Sequence, residues 1–322
     1  MEKKDLRIVF FGTPDFAVES LKRLVEGGYH LVGVVTMPDK PAGRGHHLLQ
    51  SAVKKYAVEQ GLPLLQPANL KDEGFVQELR SLSADLQIVI AFRMLPEVVW
   101  SMPRLGTFNL HASLLPKYRG AAPINWAVMN GDTETGVTTF FLKHEIDTGD
   151  IIQQRKIKIG RKDNVEAVHD QLMVMGADMV VETVDAILAG TVKAISQDKM
   201  LIPGQEPTPA PKIFKDTCRI DWNRPAEVIY NHIRGLSPYP AAWTELTDKN
   251  GKVHPLKVFE TREPTSKPEG EQAGTITSDG RHLWVSCADA RLELRSLQVA
   301  GKKRMDADAF LRGFTIEGAH CV

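Results

Sequence analysis

Near its start the chain commits itself to a strand, a helix and a second strand. Residues 6–11 are apolar or β-branched except for Arg7, and the run stops at Gly12-Thr13-Pro14, where a proline suits the first turn of a helix. Phe16, Leu21 and Leu24 then recur at helical spacing until Gly27-Gly28 interrupts them, and residues 31–36 read as another fully buried strand. A strand with no polar face must be covered on both sides, so this opening predicts a βαβ unit and a largely parallel sheet.

The alternation continues. An apolar stretch at 62–65, a helical pattern at 75–82 and a buried-strand run at 86–91 extend the same scheme. Strand-like runs at 136–142 and 151–159 and a long helical stripe at 165–188, ended by Gly190, complete it. The expected fold class is α/β, a mainly parallel sheet with flanking helices. From 191 to 211 the periodicity fades and Pro203, Gly204, Pro207, Pro209 and Pro211 accumulate, the pattern of a stiff, extended linker. Beyond it, short apolar runs at 242–246, 256–259, 283–287 and 292–297 alternate with turn-rich segments, as in a small β-barrel or sandwich. The expected division is an α/β domain over 1–190, a linker over 191–211 and a β-rich domain over 212–322.

Composition narrows the function classes. With 322 residues the chain has room for two domains, and its formal charge of zero offers no general basic excess, so any RNA contact has to use a local patch. Cys218, Cys287 and Cys321 are odd in number and far apart, which fits neither a disulfide framework nor a zinc-binding CxxC pair. No apolar run approaches the ~20 residues needed to cross a bilayer, and the start lacks a signal-peptide core. A cytoplasmic protein that does not enter a membrane and carries no cysteine-based metal site is the expectation, and its size permits an enzyme.

Three stretches can carry chemistry. Thr107-Phe108-Asn109-Leu110-His111 reads as extended, so Asn109 and His111 face the same way. An amide donor beside an imidazole suits stabilisation of an oxyanion and proton handling near neutral pH. A polar-edged loop from Ala112 to Pro123 follows, at the kind of sheet edge where open α/β folds bind ligands. Asp147-Thr148-Gly149-Asp150 follows the strand run at 136–142 and is expected at that same edge, where its acid can orient the imidazole or take up a proton. Each of these also has an ordinary reading: a hydrogen-bonded histidine at a strand end, a tight connection, an Asx turn.

Taken in order, Phe10-Phe11-Gly12-Thr13-Pro14, Pro38-Asp39-Lys40-Pro41-Ala42-Gly43-Arg44-Gly45, Asn109-Leu110-His111-Ala112-Ser113-Leu114-Leu115-Pro116 and Asp147-Thr148-Gly149-Asp150 resemble the methionyl-tRNA formyltransferase family. Lys212-Ile213, Ile220-Asp221-Trp222 and Ile233-Arg234-Gly235 extend the likeness into the C-terminal part. The resemblance implies a formyltransferase fold with a C-terminal barrel of the oligonucleotide-binding (OB) type. It implies 10-formyltetrahydrofolate as donor and the amino group of methionine on initiator tRNA as acceptor. It assigns Asn109, His111 and Asp147 to catalysis, and Ser113, Leu114, Leu115 and Pro116 to folate. The loop containing Lys40 and Arg44 would face the tRNA, and the cluster Lys302-Lys303-Arg304 is a candidate for its phosphates. A monomer is expected. The sequence departs from the family at Phe92-Arg93, where a Tyr-Gly pair is common, and at Lys143-His144-Glu145-Ile146, which is more acidic and glycine-containing in relatives.

Other readings remain at this stage. The opening βαβ unit does not complete GxGxxG, which argues against a dinucleotide enzyme. A formyltransferase acting on a nucleotide-linked amino sugar shares the same trio and can also carry a barrel. One acting on glycinamide ribonucleotide generally lacks the extra domain. A non-catalytic RNA-binding protein leaves the trio unexplained.

Overall fold

The structure, a computed structural model, describes residues 2–42, 47–201, 204 and 206–322. It divides into two compact units: Met1–Gly120, Gly136–Ile157 and His169–Pro209 form the first, and Ala121–Thr135, Lys158–Val168 and Ala210–Val322 the second.

The first unit is built on a seven-stranded sheet ordered Ile151–Lys158, Glu134–Phe141, Thr107–His111, Leu86–Ile90, Arg7–Gly12, His30–Val35 and Leu64–Leu65. The last five run parallel to their neighbours, whereas Glu134–Phe141 runs antiparallel to Thr107–His111. The apolar runs seen in the sequence are the centre of this sheet, and Ile8, Val9, Phe10, Phe11, Ile88 and Ile90 are almost entirely removed from water. Helix Asp15–Glu26 begins after Pro14 and turns Phe16, Ala17, Leu21 and Leu24 inward. Burial of each such leucine is worth about 1.5–3 kcal/mol, so the stripe rather than intrinsic propensity holds the helix. One face of the sheet is covered by Phe75, Val76 and Leu79 of helix Glu73–Ser81, together with Leu95 and Val99. That helix is capped by the Asp72 carboxylate, which accepts from the Phe75 amide at 2.9 Å.

The segment expected to be an extended linker is tied to the first unit for much of its length. Ile195 pairs with Ile151, a short 3-10 turn covers Gln197–Met200, and Pro209 still belongs to this unit. The lack of periodicity reflects irregular structure packed on a scaffold, which uses side-chain hydrogen bonds instead of a repeating apolar stripe.

In the second unit, strands Ile276–Ser278, Leu283–Ser286, Arg291–Val299, Val253–Thr261, Ala242–Thr247 and His320–Cys321 follow one another in an antiparallel sheet. The sheet closes on itself: Thr275 pairs with His320 and the Cys321 amide donates to the Gly274 carbonyl at 2.8 Å. Closure removes the free edges and gives the expected barrel. Gly274 makes the seam possible, because its φ is +82° and a Cβ there would lie 2.3 Å from the Cys321 carbonyl oxygen.

Helix Ala226–Leu236 was not among the expected elements. Its signal is present in Ile229, Tyr230, Ile233 and Leu236, which are buried at helical spacing after Pro225. It packs on helix Pro123–Met129 so closely that a Cβ on Gly235 would meet the Met129 backbone nitrogen at 2.8 Å. Arg234 is buried here without a carboxylate at hydrogen-bond distance among its described partners. Its guanidinium donates to the Asn231 amide oxygen and the Asp163 carbonyl, both at 2.8 Å, and loss of water lowers its pKa. This arginine is an internal staple and is consumed by the fold.

Candidate active site

Strand Thr107–His111 is the point at which the sheet changes from parallel to antiparallel. Asn109 pairs with Val89 on one side and Phe140 on the other. The alternation of the strand places Asn109 and His111 on one face, as expected, with Asn109 half-buried and His111 7% exposed. The His111 ring meets Phe140 edge-on, and its Nε2 lies 2.8 Å from the Tyr118 carbonyl oxygen. A carbonyl only accepts, so Nε2 carries a proton and donates it there. The other ring nitrogen, Nδ1, is therefore the one left for chemistry, and it lies 3.9 Å from Asp147 Oδ2.

The strand run before Asp147 predicts this acid at the His111 end of the sheet. The contact is present, but the route is different. Glu134–Phe141 is antiparallel, so its final residue, Phe141, pairs with Phe108, while His111 faces Thr138. The loop has to double back to bring Asp147 to the imidazole. Two backbone features permit this. Asp147 adopts a left-handed φ of +55°, and Gly149 is pressed against the strand so tightly that a Cβ would fall 1.6 Å from the Phe141 carbonyl oxygen.

The returning loop is held by groups that the sequence did not single out. The Gly120 amide donates to Asp147 Oδ2 at 3.0 Å. The Gln197 amide nitrogen donates to the carbonyl oxygens of Asp147 and Gly149, both at 2.8 Å. Arg119 in turn donates to Gln197 Oε1 from Nε at 3.1 Å and Nη2 at 2.8 Å. Arg119 and Gly120 stood within the candidate loop but carried no role. Gln197 lay in the supposed linker, where no motif marks it.

The stretch Ser113-Leu114-Leu115-Pro116 is an internal latch as well as a candidate folate wall. Ser113 is fully buried and donates to the Lys117 carbonyl at 2.7 Å, and Leu115 packs with Phe140 and Ile151. Thr138 ties the stretch down by donating to the Ser113 carbonyl at 2.7 Å, while Gln154 donates to the Leu115 carbonyl at 2.7 Å. Leu114 and Pro116 are the half-buried members. At the first departure from the family pattern, Phe92 packs edge-on against Phe11, and Arg93 donates to the carbonyls of Pro67 and Ala68. At the second, Lys143 pairs with Asp150 at 2.7 Å and Ile146 is 61% exposed.

Of the candidate tRNA contacts, Lys40 is exposed in a short strand, Lys40–Ala42, that pairs with His47–Leu49. Arg44 lies outside the described residues. Lys302, Lys303 and Arg304 are exposed; Arg304 Nε donates to Ser296 Oγ at 2.6 Å, and its guanidinium lies 4.4 Å from the Phe259 ring centre. Among the described residues, no group of three or more His, Cys, Asp or Glu is placed to hold a metal ion.

The sequence matches the formyl transferase family model over residues 6–184 and the formyl transferase C-terminal domain model over 212–315. It is 62% identical to the methionyl-tRNA formyltransferase of Bacteroides thetaiotaomicron over 99% of both chains. It is 51% identical to that of Porphyromonas gingivalis over 98% of both. Among solved structures, the fold is similar to an N-formyltransferase from Helicobacter canadensis, solved with folinic acid and dTDP-3-aminofucose. That likeness has a TM-score of 0.65 at 18% identity and covers 90% of this chain and 98% of that one.

Proposed function

The chain belongs to the formyl transferase family in both its N-terminal and C-terminal parts, and from that premise we infer that it formylates methionyl initiator tRNA for the start of translation. The acceptor is supported by the relatives that carry this name, which are 51–64% identical along nearly the whole chain, barrel included. The likeness to the Helicobacter canadensis N-formyltransferase, at 18% identity, concerns the fold, so the amino-sugar reading gives way. The donor is a folate, and 10-formyltetrahydrofolate is the form whose formyl group an amine can attack directly. Work at the start of translation makes this a cytoplasmic enzyme.

The chemistry follows from the approach of Asp147 to His111, the observation on which this reading most depends. The methionine amine attacks the formyl carbon, the carbonyl oxygen gains charge, and the amine must lose a proton as the carbon–nitrogen bond of the folate breaks. Asn109 supplies an amide donor for the oxyanion. His111 Nδ1 carries the free lone pair of the neutral ring, so it is suited to receive the proton. Asp147 then stabilises the imidazolium, which hands the proton to the departing folate nitrogen so that it leaves as a neutral amine, while the Tyr118 carbonyl keeps the ring from turning. Leu114 and Pro116 supply apolar surface for the folate, and Lys302, Lys303 and Arg304 meet tRNA phosphates with Lys40 and Arg44.

The experiment offers labelled 10-formyltetrahydrofolate together with methionyl initiator tRNA, the same tRNA uncharged, or an amino-sugar nucleotide. Formyl is expected on the first alone; faster transfer to the sugar would overturn the assignment. Replacing all of Lys302, Lys303 and Arg304 with alanine should flatten the dependence of log binding constant on log salt by about two to three units if each cation meets one phosphate. An unchanged slope removes the cluster from the interface.

A further inference from the structure

We propose that Gln197 is a positioning residue for the formyl-transfer site, acting with Arg119 to set the Asp147 carboxylate against His111. This rests on the reading of Asp147 as part of the reacting site. Gln197 is 1% exposed, and its amide is saturated: both N–H groups go to the carbonyls of Asp147 and Gly149, and its oxygen receives two bonds from Arg119. Those two carbonyls flank Thr148, so one side chain grips the loop on both sides of its turn.

The grip forms a ring. Gly120, next to Arg119 in the chain, donates its amide to Asp147 Oδ2. The path runs from Asp147 through Gln197 and Arg119 to Gly120 and back to Asp147, clamping backbone and carboxylate of one residue at once. Asp147 needs such a clamp, since its left-handed backbone is disfavoured for a residue with a Cβ. His111 does not provide it, because 3.9 Å is too long for a hydrogen bond to hold the carboxylate. Without the ring, the loop relaxes and the carboxylate drifts from Nδ1.

The test compares Gln197→Met, which removes all four bonds at similar volume, with Gln197→Glu, which keeps a partner for Arg119 but loses the paired donors. A displacement of about 1 Å at a reacting centre costs on the order of 100-fold, so kcat should fall by roughly 10- to 100-fold in both. KM for folate and for methionyl-tRNA should stay within about threefold, since neither substrate is bound by the ring. The losses of Gln197→Met and Arg119→Met should fail to multiply in the double variant, because both break one ring. Thermal melting accompanies each variant, and Gln197→Glu serves if Gln197→Met does not fold. Asp147→Asn is measured alongside. If it loses turnover while both Gln197 variants keep kcat, or lose it with rising KM, the positioning role is wrong and the site reading stands. If Asp147→Asn turns over normally, both fall.

Discussion

Replacing Asp147 with asparagine isolates its charge. Asparagine keeps an oxygen for the Gly120 amide, now 3.0 Å from Oδ2, and the ring through Gln197 uses backbone carbonyls that the substitution does not touch. What disappears is a negative charge 3.9 Å from His111 Nδ1, on two side chains that are 14% and 8% exposed. At that separation a unit charge pair is worth about 1 kcal/mol in water and about 4 kcal/mol at the effective dielectric of a partly buried site. The pair exists only once the imidazole has taken the proton, so the energy is lost from the transition state and not from substrate binding. A factor of ten in rate corresponds to about 1.4 kcal/mol, so kcat should fall between about 5-fold and 1000-fold, and the low exposure favours the upper half of that range. Single-turnover formylation of methionyl-tRNA, with folate and tRNA each varied, measures it. A kcat within threefold of the parent, or a loss carried wholly by KM, refutes the role of the charge.

Gly149→Ala places a methyl group on top of the Phe141 carbonyl, and the Asp147 loop must leave the strand; formylation should be nearly abolished while the melting temperature of the barrel is unchanged. Gly274→Ala perturbs the other unit: a left-handed alanine costs about 1–2 kcal/mol, and losing one or two seam hydrogen bonds adds about 1 kcal/mol each, so urea unfolding should report a loss of about 2–4 kcal/mol. Asp39 is held below its ordinary value of 3.8 first by the Lys54 ammonium, at 2.6 Å, and then by the Gln66 amide. A depressed carboxyl stabilises the folded state above its unfolded value and loses that contribution as pH falls through the folded one. Asp39→Asn should therefore flatten the acid limb of the melting temperature below about pH 4, and an identical limb would count against the pairing.

The sheet was legible because its strands are buried on both faces and cannot be mistaken for surface. Residues 6–11, 31–36 and 86–91 correspond to Arg7–Gly12, His30–Val35 and Leu86–Ile90, and the stop at Gly27-Gly28 ends helix Asp15–Glu26 where expected. Asn109 and His111 were legible for a related reason, since a strand's two-residue period fixes their common face. Helix Ala226–Leu236 carries a readable stripe, but the turn-rich strands around it drew the reading toward an all-β unit. Gln197 was illegible in principle. Its role depends on four long-range hydrogen bonds to residues 119, 147 and 149, and a saturated amide leaves no periodic or compositional trace.

The position of Asp147 shows why a correct contact can follow from an incomplete argument. Had the sheet been parallel throughout, the strand before Asp147 would end beside His111 and the acid would arrive there without special structure. Because Glu134–Phe141 is antiparallel, the end of that strand lies beside Phe108, and the contact exists only if the loop turns back. The turn is unfavourable on its own terms: a left-handed aspartate, and a backbone approach that only a glycine allows. Interactions from outside the loop must therefore maintain it, and those observed come from Gly120, Arg119 and Gln197. The reversal of one strand thus makes the placement of the acid separable from the acid itself. Substitutions at Gln197 can lower turnover while Asn109, His111 and Asp147 all remain in place.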